Sequence, residues 1–120
     1  MQYRPTAEEL LTSIAELLED ELLPVLPEEL KHKCRVAANL ARILEREERL
    51  GPGAAAREHD RLVGVLGSDG DVAVLAAELA QRVRSDDDPA FQKRAWESLV
   101  ATARDDLAIA KPGHDSWEGR

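Results

Sequence analysis

Rings are scarce in this chain. Tyr3, Phe91, Trp96 and Trp117 are all the aromatics among 120 residues, which leaves few of the flat anchors that line ligand pockets or stack on bases. Cys34 is the one cysteine, so an internal disulfide is excluded and nothing points to an oxidising compartment. A run of 18 apolar residues is missing, and so is the apolar centre of a signal peptide between Met1 and Thr6. The expectation is a cytoplasmic protein that does not enter a membrane. Strict apolar/polar alternation is absent too, so a sheet has nowhere to form. Basic side chains are outnumbered by carboxylates, 16 to 24, for a formal charge of −8. Affinity for nucleic acid comes mainly from neutralising phosphate with Lys and Arg, and this balance excludes such a partner.

What is present is a helical beat. Apolar residues recur three and four apart from Leu10 to Ala110, and the stretches open on cap residues and close mostly at Gly or Pro. Thr6-Ala7-Glu8-Glu9 reads as a capping box that opens a first helix over about residues 7–22, with Leu10, Leu11, Ile14, Leu17, Leu18 and Leu22 inward. Pro24 should break it. A second helix starts at Pro27 and runs to about Leu50, burying Leu30, Cys34, Ala37, Leu40, Ala41, Ile43, Leu44 and Leu50, until Gly51-Pro52-Gly53 stops it. Shorter helices follow at about 54–66 and 72–84. The fifth, from Pro89 to about Ala110, is capped by Asp88 and buries Phe91, Ala95, Trp96, Leu99, Ala103 and Leu107. The pattern predicts an all-α fold: a compact antiparallel bundle of about five helices, three long and two shorter. Residues 1–112 form one domain and 113–120 a flexible tail.

Charge is unevenly spread. Residues 1–30 hold one arginine against eight carboxylates, whereas residues 31–50 hold six basic side chains against three acidic ones. That contrast favours pairing of the first two helices, although exposed pairs contribute only about 0–1 kcal/mol each.

Projection at 100° per residue leaves a few polar side chains inside apolar arcs. Glu21 falls on the side of Leu10, Ile14 and Leu17, and Asp106 between Leu99 and Ala110. Buried carboxylates need partners; an ion pair with an arginine of another helix is the ordinary explanation, and acid–base work in a pocket the alternative. Arg35, Asn39, Arg42, Arg46 and Arg49 make a stripe along the second helix. Arginine forks bind carboxylates and phosphates, so Arg35, Asn39, Arg42 and Arg46 are candidate contacts for an anionic partner, against the plainer reading of a solvated face.

Metal and nucleophile chemistry find little support. Glu29 and His32 have an i, i+3 spacing used by di-iron bundles but lack a second copy, His59 and His114 stand apart, and Asp69-Gly70-Asp71 reads as turn and cap. Cys34 reads as a small core residue. No glycine-rich phosphate loop or nucleophile elbow occurs. No metal and no cofactor is expected.

The segments Arg4-Pro5-Thr6-Ala7-Glu8-Glu9-Leu10-Leu11, Glu21-Leu22-Leu23-Pro24, Arg35-Val36-Ala37-Ala38-Asn39 and Glu47-Glu48-Arg49-Leu50-Gly51-Pro52 resemble an uncharacterised bacterial family of short helical proteins over about residues 4–112. The resemblance implies genes beside acyl-CoA dehydrogenases and aminoglycoside-phosphotransferase-like kinases, and brings no activity with it. Where that family often places an aromatic after the last proline, Gly113 and His114 follow Pro112 here. The reading is a non-catalytic accessory or protein-interaction domain, acting with an enzyme of acyl-CoA or small-molecule phosphoryl metabolism or as a homo-oligomer. The alternative is a binder of a small anionic ligand, or an enzyme, using Glu21 or Asp106 between helices.

Overall fold

Thr6 starts the first helix as its sequence requires. In the computed structural model, which describes residues 4–113, the Thr6 hydroxyl accepts from the Glu9 backbone N–H at 3.2 Å. The Glu9 carboxylate turns to Arg4 Nη1, 2.9 Å away, and to the Thr6 hydroxyl. Four α-helices follow among the described residues, with no strand: α1 Ala7–Glu16, α2 Glu28–Leu66, α3 Val72–Ser85 and α4 Pro89–Ala110. The chain does not leave α1 cleanly. It widens into a π-turn over Leu17–Leu22 and tightens into a 3-10 turn over Leu23–Val25, so Pro24 ends a helical run rather than cutting one.

Four helices replace the expected five because Gly51-Pro52-Gly53 does not stop α2. Proline in a helix normally clashes with the Cβ of the residue before it and leaves one carbonyl without a donor. Gly51 has no Cβ to clash, and Ala54-Ala55-Ala56, the strongest helix formers, follow at once. The helix therefore carries Pro52 inside it. The true stop is Gly67, whose φ of +77° suits glycine, and whose N–H caps the Val63 carbonyl at 2.8 Å.

The described residues fall into two compact units. One comprises the chain up to Gly51 together with Ile109–Lys111; the other comprises Pro52–Ala108 and takes in Pro112. In the first, α1 and the front of α2 form an antiparallel hairpin around small side chains: Ala15, Cys34, Ala38 and Ala41 are all buried. Small residues allow the two backbones to approach closely, and the Cys34 thiol donates to the Leu18 carbonyl at 3.2 Å. That carbonyl lies in the π-turn, where it also accepts from the Leu23 N–H.

The second unit holds the larger core. Leu62, Leu75, Leu79, Phe91 and Ala95 are buried together, with Val63, Val65, Leu66, Val72 and Val83 packed against them. Arg82 lies over the Phe91 ring, 4.3 Å from its centre. Asp88 caps α4 through the Ala90 N–H at 3.3 Å, and Gln92 Nε2 donates to the Val83 and Asp86 carbonyls at the end of α3. Asp71 precedes α3 with only its backbone carbonyl engaged, by Leu75 N–H.

Several expected core residues lie elsewhere. Leu40 and Leu99 are 54% and 49% exposed and Trp96 60%, while Leu79 is buried as expected. On α4 the inward line is Phe91, Ala95 and Ser98, spaced four and three apart, which leaves Trp96 and Leu99 one residue off it. On α2 the inward line is Cys34, Ala38 and Ala41, and the leucines flank it. Tyr3, His114, Trp117 and the expected tail from 114 onward lie outside the described residues.

Candidate interaction surface

The stripe on α2 divides into residues the fold uses and residues it leaves open. Arg42 Nη2 donates to Glu19 Oε1 at 2.7 Å; that hydrogen bond raises the guanidinium pKa above its ordinary value, against the opposing effect of desolvation. Arg46 Nε donates at 2.7 Å to the carbonyl of Ile109, one of those at the C-terminal end of α4 that find no helical donor. Arg49 pairs with Glu45 at 2.9 Å. Arg35 and Asn39 remain exposed. Two of the four candidate contacts therefore hold the first unit together, and two face solvent.

Glu21 and Asp106 are exposed rather than buried. For Glu21 the cause is the π-turn: with i→i+5 bonding each residue advances by less than 100°, so a regular projection misplaces everything after Leu17. The apolar side on which it was projected is itself open. For Asp106 the inward position belongs to its neighbour. Asp105 accepts from Arg57 Nε and Nη2, both at 3.1 Å, and from Arg61 Nη2 at 3.2 Å, while Arg61 also donates to Thr102 Oγ1 at 2.9 Å. The Arg57 hydrogen bonds, helped by Arg61, hold the Asp105 carboxyl below the usual range despite some desolvation. Arg61 Nε is buried without an acceptor. The signal was present in the sequence: Thr102 and Asp105 continue the three-and-four line of Phe91, Ala95 and Ser98, opposite Arg57 and Arg61 at i, i+4.

A second polar contact closes the turn before α3. His59 Nε2 lies 2.8 Å from Asp69 Oδ1, which also accepts from the Gly70 N–H at 2.7 Å. The Asp69 hydrogen bond raises the His59 pKa, and the Gly70 N–H, followed by His59, lowers that of Asp69. This pair therefore supports the fold fully between the unfolded pKa values of about 4 and 6.5. Its contribution is lost as pH rises through the raised His59 pKa, or falls through the lowered Asp69 pKa. An NMR titration should show the His59 pKa dropping toward 6.5 in Asp69→Asn; an unchanged midpoint would contradict the pairing.

The open side of the first unit carries a run of exposed aliphatic side chains. Leu10 and Ile14 on α1 and Leu17 just after it are 50%, 48% and 44% exposed, and Leu30, Leu40 and Leu44 on α2 are 41%, 54% and 50% exposed. Both sets lie to the same hand of the buried lines through Ala15 and Ala38. The two helices run antiparallel, with Glu8 acting on Arg49 and Leu18 touching Cys34. Equal hands in an antiparallel pair fall on one side, which sets Leu10 level with Leu44 and Ile14 with Leu40. Scattered apolar residues at a surface are ordinary, whereas a continuous apolar side marks a place of association.

The second unit contains a cavity of about 330 Å³ lined by Leu62, Ala76, Leu79, Ala80, Val83 and Leu99, with Glu58, Arg84, Ser98 and Thr102 also at its wall. Among the described residues no group of three or more His, Cys, Asp or Glu side chains is placed to hold a metal ion. No helix there is long and apolar enough to cross a membrane.

A family model described as a domain of unknown function (DUF6285) matches residues 24–114. The chain belongs to the DUF6285 family. The match begins at Pro24 and takes in α2, α3 and α4, with the Arg35–Arg46 stripe, the Asp105 network and the cavity all inside it. No curated protein and no solved structure matches the chain.

Proposed function

We propose that this member of the DUF6285 family is a non-catalytic interaction domain that works by association through the open side of the α1–α2 hairpin. One observation carries the reading: six large aliphatic side chains on one side of a two-helix unit are between 41% and 54% exposed. Covering such a side is favourable by roughly 25 cal/mol per Å² of apolar surface removed from water. Arg35 and Asn39 lie on the opposite flank of α2, available to an acidic surface or a phosphate group. Arg42 and Arg46 support that flank from within. An enzyme of acyl-CoA or small-molecule phosphoryl metabolism, which the family resemblance implies, is the partner class to try first, in a cytoplasmic setting.

The test uses purified components. A photo-reactive residue at Leu40 should form protein adducts, whereas one at exposed Asp60 should not, and Arg35→Glu should weaken capture of an acidic partner enzyme without changing the helical signal. A Leu40 label that meets only water, together with no capture of either enzyme class, would defeat the reading.

The cavity of the second unit favours a second reading, a small-molecule site. Its wall is mainly aliphatic, with Glu58 and Arg84 as the charged groups, which suits an amphipathic ligand better than a bare anion. A ligand present at 100 times its Kd adds about 2.7 kcal/mol of stability. A thermal-shift series over acyl-CoAs and phosphorylated metabolites with no response would remove this reading.

A further inference from the structure

We infer that the open side of the hairpin is covered by a second copy of the chain, giving a two-fold dimer in which two hairpins close into a four-helix bundle. The inference rests on the proposed role of that side as a docking surface and names its occupant.

Two independent features of the surface point to a copy of itself. The first is spacing. Positions 30, 33, 37, 40, 44 and 47 of α2 alternate three and four apart, as do positions 7, 10 and 14 of α1 and position 17 at the start of the π-turn. Alternation of three and four keeps these positions on one face of each helix, the spacing of a seam between helices which pack knobs into holes. Both helices of the hairpin thus present a seam on the same side, and the simplest body offering two matching seams at the same separation is another such hairpin.

The second feature is charge. Lys33, Leu40 and Glu47 stand seven residues apart on one line of α2, and all three are exposed. When α2 crosses its counterpart antiparallel with Leu40 on the two-fold axis, Lys33 of each copy falls opposite Glu47 of the other. The same axis sets Ile14 against Ile14 and brings Leu10 opposite Leu18, one residue beyond Leu17. An isologous contact requires a surface complementary to itself under a two-fold rotation, and this line of residues has that property: positive at one end, apolar in the middle, negative at the other. The Arg35 and Asn39 flank remains uncovered in this arrangement, free for a different partner.

The experiment is a mass measurement across concentration on the full chain, by sedimentation or light scattering, with variants at exposed positions. The expected mass is twice 13.2 kDa in the tens of µM. Leu40→Asp should give 13.2 kDa with its circular dichroism unchanged. Lys33→Glu and Glu47→Lys should each raise the dissociation constant about tenfold, and the two together should restore it, because the charge order is only reversed. A chain that stays at 13.2 kDa to roughly 100 µM, or a dimer indifferent to Leu40→Asp and Lys33→Glu, overturns the inference. The Leu40 photolabel separates the two levels of failure. A monomer whose label reaches a purified enzyme partner loses the second copy but keeps the docking surface, while a monomer whose label reaches no protein loses both.

Discussion

Phe91→Ala is expected to lower the unfolding free energy by about 3–5 kcal/mol, the range for removing a buried ring. Phe91 is 1% exposed and is the one aromatic in the described core. It sits between Leu62, Leu75, Leu79 and Ala95, all buried, with Arg82 stacked on its face. The neighbours come from three helices, so no single side chain can move in to fill the space. A total stability of about 5–15 kcal/mol is ordinary for a domain of this size, so the loss would be a large part of it. Urea unfolding followed by circular dichroism checks it; a midpoint shift worth less than about 1 kcal/mol would mean that the ring is not closely packed.

Asp105→Ala should cost about 2–3 kcal/mol, for a different reason. The carboxylate is the shared acceptor of Arg57 and Arg61, and its side chain is 22% exposed. Arg61 is already short of one acceptor at Nε, and losing Asp105 leaves Thr102 as its only acceptor. Most of the cost is the stranded charge and not the lost attraction, which makes a further prediction about sign. Arg61→Met combined with Asp105→Leu should be less destabilising than Asp105→Ala alone, since the half-buried guanidinium is then removed with its acceptor, and Arg57, 56% exposed, can turn to water. A double variant that is worse than the single would refute this account. The contribution of Asp105 also depends on pH: its carboxyl is held below the ordinary value, so the stabilisation is present above about pH 4 and is lost as pH falls through the lowered pKa.

Local rules in the sequence located most of the helical ends. Thr6 and Asp88 cap α1 and α4 as their residue types require, and Pro89 opens α4. Pro52 was misleading because one part of the rule against proline in helices, the clash with the preceding Cβ, does not apply after Gly51, and three alanines then favour the helix. Phase was harder to read than position. Cys34, Ala38 and Ala41 are inward because α1 and α2 come close, and only small side chains permit that; hydrophobicity alone would have chosen Leu40 and Leu44. Ser98 is buried and Leu99 half-exposed for a related reason, since the line through Phe91 and Ala95 fixes the face and Ser98 is small enough to occupy it. The paired role of Asp105 required knowing which arginines stand opposite it, a tertiary fact that periodicity within one helix does not contain.

The wide turn at Leu17–Leu22 gives the molecule a built-in spectroscopic probe. Its Leu18 carbonyl is shared between a backbone amide and the Cys34 thiol, and sulfhydryl groups stretch in a part of the infrared where almost nothing else in a protein absorbs. With a single cysteine in the sequence the band needs no isotopic labelling to assign. Deleting one residue of the turn would return the helix to its ordinary pitch, withdraw the carbonyl and shift that band to higher frequency. The vibration of one sulfur–hydrogen bond thus reports the local winding of the chain while the rest of the molecule stays silent.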